Sequence, residues 1–236
     1  MRDKLKNQDY FNELIKKEKS NIAMFENVVK RAMVEKGEFD RGTRNGYNIL
    51  INSFQKIINL LYSSGEDLNT IQEIYKKLLY YYSKMWDRKY GYIELIKVLS
   101  LAVLLEIDKD EVSELETRLI SENFDDYLVN VLLGKIDTSW IKSGTKFEYP
   151  EVYDCLKVII ENKETDVCEF LKEYLQEKWY DIHKECAWYD SHKSSKNIYC
   201  GYWSFEAGAI AKILKIDDVG LKNMNYYPYD LVHYKR

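Results

Sequence analysis

Only two prolines, Pro150 and Pro228, interrupt a chain of 236 residues that also holds only ten glycines. Few breakers leave long stretches free to propagate a helix, and the apolar residues in those stretches recur in steps of three and four. From Asp9 to Lys36 the positions Phe11, Leu14, Ile15, Ile22, Phe25, Val28, Val29, Ala32 and Met33 follow that rhythm, and Gly37 closes the segment. A second helix is expected from Arg44 to Tyr62 and a third from Asp67 to Met85, with "SSGED" between them. The fourth, Tyr92 to Leu105, is apolar on most sides and is expected to be buried. Asp108 is positioned to cap a short acidic helix, and another helix is expected near Phe124 to Leu133. After the irregular "GKIDTSWIKSGTKFEYP", Pro150 suits a first helical turn, and helices are expected at Glu151 to Glu161, Asp166 to His183 and 201 to 215.

The class this predicts is all-α: stacked antiparallel helical hairpins, with a smaller N-terminal helical part packed on a C-terminal helical domain. The division expected is 1–122 and 123–236. One internal similarity supports hairpins. Trp and Asp lie in "KMWDRKYGY" between the third and fourth helices and again in "CAWYDSHKSSKNIYCGY" between the last two; in both, Tyr and Gly open the second helix and Ile-Asp stops it.

Charge is uneven. Residues 1–89 carry a net +5, residues 90–149 a net −6 and residues 150–236 a net −3. The acidic two-thirds would repel phosphate, and the lysines of the basic third are scattered, so direct nucleic-acid binding is not expected. No apolar run reaches the roughly 18–20 residues needed to span a bilayer, and the first residues lack the apolar core of a secretion signal. A cytoplasmic protein without membrane attachment is expected. Self-association is left open.

Cys155, Cys168, Cys186 and Cys200 form no C-x-x-C pair, and His183, His192 and His233 have no ligand spacing among themselves. Metalloprotease, phosphate-loop and nucleophile-elbow motifs are missing, so neither enzyme activity nor a metal or other cofactor is expected. The stretch "YCGYWSFEAGAIAKILKIDD" reads as a buried helix whose small residues admit a close neighbour; Asp217 and Asp218 then cap the next helical turn. Glu206 is its one carboxylate at a buried position, expected to be held by a loop residue such as His192 or Lys193. The alternative is a helical protein binding a metal or small molecule near Asp190, His192 and Glu206.

"WYDSHKSSKNIYCGYWSFEAGAIAKILKIDD" followed by "NYYPYDLVHY" resembles the C-terminal domain of the PoNi immunity proteins. The resemblance covers about residues 125–236; the N-terminal helices resemble that family's more variable N-terminal domain in pattern. It implies an α-helical cytoplasmic protein that binds and neutralises a cognate DNase toxin of the polymorphic type, a binder rather than a catalyst. Trp188, Tyr202, Trp203, Glu206, Asp217, Tyr227, Pro228 and Asp230 carry over as a family signature, read as structural.

A DNase presents a cationic cleft to DNA, and carboxylates complement such a cleft. The densest run here is Glu106, Asp108, Asp110, Glu111, Glu114, Glu116, Glu122, Asp125 and Asp126, against Lys109 and Arg118 alone. These nine are the expected toxin-binding residues.

Overall fold

The computed structural model describes residues 1–161 and 166–236, and no strand occurs among them. The protein is all-α. It divides into two compact units that do not follow a single cut in the chain.

The first unit comprises Met1–Asp87, Glu111–Arg118 and Asp190–Tyr202. Its frame is three long antiparallel neighbours, α1 (Gln8–Lys36), α2 (Arg41–Ser64) and α3 (Leu68–Met85), α2 packing against both others. Each starts at a side-chain cap. Asn7 accepts from the Tyr10 amide, Asp40 from the Gly42 and Thr43 amides, and Asp67 from the Thr70 amide, so each carboxylate or amide oxygen satisfies donors the first turn leaves orphaned. The Asp40 cap starts α2 three residues before the expected Arg44. The apolar face of α2 is almost wholly buried: Tyr47, Leu50, Ile51, Phe54, Ile57 and Ile58 are at most 1% exposed. α1 differs. Phe11, Leu14, Ile22 and Val29 are buried, but Val28 and Met33, expected on the same stripe, are 44% and 40% exposed. Glu18 of α1 is buried and meets Lys56 of α2 at 3.0 Å.

Asp190–Tyr202, distant in sequence, is sewn onto this unit by side chains. The Tyr199 hydroxyl donates to Asp3 Oδ2 (2.5 Å), Ser63 Oγ donates to the Cys200 carbonyl (3.0 Å), and Lys6 Nζ donates to the His192 carbonyl (3.1 Å). The Tyr10 hydroxyl bridges the Tyr199 backbone, donating to its carbonyl and accepting from its amide.

The second unit comprises Arg88–Asp110, Leu119–Tyr189 and Trp203–Arg236. α4 (Tyr92–Leu104) is at its centre, with Leu95, Ile96, Leu99 and Leu101 fully buried, as its all-round apolarity predicts. α5 (Lys109–Ser121) has only its ends in this unit, its middle, Glu111–Arg118, belonging to the first, and α6 (Tyr127–Ile136) packs on α4. α6 begins three residues past the expected Phe124 because Asp126 caps it, accepting from the Val129 amide at 2.9 Å. Short helices come next: α7 (Pro150–Tyr153), with Pro150 in its first turn, α8 (Cys155–Glu161), α9 (Val167–Glu173), a π-helical turn (Tyr174–Lys178) and α10 (Trp179–Ile182). The single helix expected over Asp166 to His183 is thus interrupted at its middle.

α11 (Phe205–Leu214) lies against α4, and α12 (Tyr229–Val232) against α11. α11 starts at Phe205 and not at 201. Gly201 has φ +104° and Tyr202, Trp203 and Ser204 form an irregular lead-in. In the first member of the internal similarity Gly91 likewise has φ +111°, directly before α4. The two glycines therefore serve one purpose, a backbone conformation that a side chain would strain, just ahead of the two most buried helices. Gly208 answers a different demand. An added Cβ there would sit 2.6 Å from Pro228 Cγ, so α11 approaches the α12 segment closely only because Gly208 is bare.

Candidate functional site

The nine carboxylates of the acidic run separate into distinct environments. Glu116 is 9% exposed and Asp126 0%, so these two offer a partner no surface, which corrects their inclusion among binding residues. Asp126 is part of the framework: the Tyr92 hydroxyl donates to it at 2.9 Å and the Glu148 amide at 2.7 Å, besides the Val129 amide it caps. Burial pushes its carboxyl above the ordinary range, with those donors opposing the shift. The adjacent Asp125 is exposed and accepts from Asn130 Nδ2 (2.7 Å) and the Gly144 amide (3.1 Å).

Glu106 and Asp108 are exposed but engaged within the second unit. Glu106 accepts from Lys212 Nζ at 3.1 Å and from the Arg236 amide at 3.0 Å. Partial burial pushes the Glu106 carboxyl up, yet the Arg236 amide and Lys212 outweigh it and leave the pKa lowered. Asp108 pairs with the Arg236 guanidinium. Asp110, Glu111 and Glu114 are exposed along α5, and Glu122 follows it. Their ion pairs are loose where they occur: Glu111 lies 3.9 Å from Lys76, and Glu114 lies 3.8 Å from Lys84 and 3.7 Å from Arg118.

Glu206 has the most ordered environment. Its Oε1 accepts from Trp179 Nε1 (2.6 Å), Ser204 Oγ (2.7 Å) and the Tyr174 hydroxyl (3.0 Å), and the residue is 5% exposed. Two of those donors are five residues apart, which in a regular α-helix would separate them by about 140° around the axis. The π-helical turn removes the mismatch. The Trp179 amide bonds to the Tyr174 carbonyl, five residues back, and the widened turn brings Tyr174 and Trp179 to one face. The expected partners His192 and Lys193 are elsewhere: His192 Nδ1 lies 2.8 Å from the Tyr202 hydroxyl, and Lys193 pairs with Asp190 at 2.9 Å.

Other signature residues extend this framework. Trp188 stacks on Trp179 at 5.6 Å, Pro228 packs over Gly208, and the Tyr202 hydroxyl also accepts from the His192 amide. Asp218, expected to cap, is buried and accepts instead from the Tyr227 hydroxyl at 2.7 Å, with His233 Nε2 2.9 Å away. Asp217 takes the capping role, accepting from the Val219 amide at 3.3 Å. Trp203 is partly exposed and Asp230 exposed.

Among the described residues no three His, Cys, Asp or Glu side chains are grouped so as to hold a metal ion. Asp190, His192 and Glu206, the alternative set, each have separate partners: Lys193, Tyr202 and the three donors on Oε1. The cysteines are partly buried thiols; burial pushes Cys155 and Cys168 up and Cys186 up to about 11, so little thiolate forms at neutral pH. No described helix is long and apolar enough to cross a membrane.

Comparison with known proteins accords with this framework. Protein PA2201 from Pseudomonas aeruginosa, a crystal structure, matches with a TM-score of 0.65 at 17% identity over 93% of this chain and 86% of that one, which speaks for the fold. No curated protein matches. Two family models do: the PoNe immunity protein (PoNi) N-terminal model over residues 2–117 and the PoNi C-terminal model over residues 124–231. The latter interval contains every signature residue from Trp188 to Asp230. With both models matched in order over nearly its whole length, the chain belongs to the PoNi family, the immunity proteins to PoNe.

Proposed function

We propose that this PoNi protein acts in the cytoplasm by binding a DNase toxin through the exposed carboxylates of the acidic run, covering the cationic cleft that would hold DNA. The run's available carboxylates are Glu111 and Glu114 in the first unit and Asp110, Glu122 and Asp125 in the second, with Glu116 and Asp126 left out as buried and Glu106 and Asp108 as already paired with Lys212 and Arg236. The observation that carries this reading is the looseness of the α5 ion pairs. At 3.7–3.9 Å and on exposed side chains, the bonds from Glu111 and Glu114 to Lys76, Lys84 and Arg118 are each worth about 0–1 kcal/mol. A toxin cation that is desolvated on docking can replace them at little cost. Long-range attraction between the acidic segment and a cationic cleft would also speed encounter. Toxin recognition here is binding, and no step of chemistry is needed for it.

The test is charge reversal at Glu111→Lys, Glu114→Lys and Glu122→Lys together, with binding to the cognate toxin followed by titration calorimetry at two salt concentrations. Truncating one side of a desolvated charge pair costs about 2–5 kcal/mol, so affinity should collapse and protection of toxin-exposed cells should be lost. Parent affinity should weaken as salt shortens the reach of its charges to about 8 Å at physiological strength. A reversed protein that binds and protects as well as the parent overturns the acidic contact surface.

A further inference from the structure

The second unit contains a half-open cavity of about 680 Å³ whose lining comes from α4, α6, α11 and the segment around α12. Its floor is apolar: Val103 and Ile107 are buried, and Ile136 and Ile216 are partly exposed into it. Around the floor stand Lys135, Lys212, Lys215 and Lys235, with Glu106 as the one carboxylate in the lining. Such a concentration of cations is out of keeping with a chain of net charge −4.

The four lysines are not equivalent. Lys212 is 13% exposed and its ammonium is fully committed, donating to the Leu104 carbonyl (2.9 Å), the Tyr234 carbonyl (2.7 Å) and Glu106 (3.1 Å). That pairing also neutralises Glu106. Lys135, Lys215 and Lys235 are exposed and make no ion pair among the described residues, although Lys135 is near enough to Glu106 to help lower its pKa, so the cavity is lined by three lysines against one carboxylate that Lys212 already holds. Burial lowers the Lys212 pKa, the bond and charge of Glu106 oppose that shift, and Lys135 and Lys235 add a smaller lowering of their own. A concave apolar surface of a few hundred Å³ with convergent charges at one edge is the usual form of a small-molecule site.

We propose that this cavity binds a small amphipathic anion, its acidic head on Lys135, Lys215 and Lys235 and its apolar body on Val103, Ile107, Ile136 and Ile216. The size admits a single acyl-like chain or a fused-ring body. The head is a carboxylate or a phosphate, both of which accept from ammonium groups. This site does not depend on how the toxin is recognised.

The experiment uses the full chain without toxin. Decanoate and decyl phosphate, both below their micelle-forming concentrations, are titrated calorimetrically beside decyltrimethylammonium, and anilinonaphthalene sulfonate fluorescence is displaced in parallel. Saturable one-to-one binding of the anions is expected, and the ratio of the two affinities says which head fits. The cation should bind about tenfold more weakly or worse, since it would face three like charges. Lys135→Glu, Lys215→Asn and Lys235→Glu combined should weaken both anions by about tenfold or more; Asn suits position 215, whose φ of +54° is left-handed. The parent's affinity for both anions should also fall as salt rises, a readout needing no variant. The proposal is overturned if neither anion binds saturably, if the cation binds as well, if the combined variant remains folded and binds unchanged, or if salt has no effect.

Discussion

The carboxylates of α5 and the carboxylate of α11 have opposite relations to solvent. Glu111 and Glu114 have side chains 42% and 44% exposed and cations no nearer than 3.7 Å. Glu206 is 5% exposed and takes three donors within 3.0 Å on one oxygen. A buried acceptor with neutral donors is worth most as a negative quantity, because removing it strands each donor away from water. An exposed carboxylate strands nothing when it is lost. The framework thus depends on the second kind, and four of the eight residues expected as a family signature fall on that side: Glu206, Trp188, Tyr227 and Pro228 serve packing or hydrogen bonding within one unit.

The largest effect that tests this contrast is Glu206→Ala. It orphans the Tyr174 hydroxyl, Trp179 indole and Ser204 hydroxyl together, and at about 1–3 kcal/mol for a buried group left unsatisfied the loss should be about 3 kcal/mol or more in urea unfolding. Glu206→Gln keeps an acceptor oxygen and should recover at least half of it. An alanine variant as stable as the parent would remove the distinction between the two regions.

Asp126→Asn comes next. Its single amide oxygen cannot serve the Val129 amide, the Glu148 amide and the Tyr92 hydroxyl at once, so a loss of about 1–3 kcal/mol is expected at neutral pH. The pH dependence has a definite sign. Because burial raises the carboxyl's pKa in the folded state, its proton favours folding: that contribution is fully present below the unfolded value and is lost as pH rises through the folded one. The stability gap between parent and Asn variant should therefore widen on acidification, measured as urea midpoints at a series of pH values. A gap that narrows would mean that the donors, and not burial, dominate at Asp126.

Gly208→Ala should be of similar or smaller size. Alanine ordinarily favours a helix over glycine by about 1 kcal/mol, but here its Cβ meets Pro228 Cγ at 2.6 Å, and overpacking of this kind costs about 1–3 kcal/mol. A net loss, read as a lowered melting temperature, would show that the close approach of α11 and the α12 segment is needed; a gain would show that Pro228 yields.

The helices are legible in the sequence because their period is written in the apolar positions and few residues oppose it. Their starts are less so. α2 begins ahead of its apolar face, at a cap set by Asp40, and α11 begins behind it, because Tyr202 and Trp203 continue the apolar spacing through a non-helical lead-in. The burial of Glu206 is legible from its apolar surroundings, but its partners are not: they depend on a π-helical turn, whose only trace in sequence is the five-residue interval from Tyr174 to Trp179. Asp125 and Asp126 are chemically identical neighbours, and only the start of α6 makes one exposed and the other buried. The lysine-rimmed cavity draws on segments about a hundred residues apart, so no local pattern could announce it.

The smallest expected effect is the stability cost of reversing charge on α5. Glu111→Lys leaves Lys76 its closer partner Glu73, at 3.1 Å, and Glu114→Lys leaves Lys84 bonded to Glu38 at 2.9 Å. The new lysines add repulsion toward Lys76, Lys84 and Arg118, but on exposed side chains screened by water and salt, so each substitution should cost about 0.5 kcal/mol or less. Together they should lower the melting temperature by about 2–4 °C at most for a chain of this size, and less as salt is added. A loss of the size expected for Glu206→Ala would place these carboxylates in the framework as well, and any fall in toxin binding could then be ascribed to unfolding and not to a lost contact.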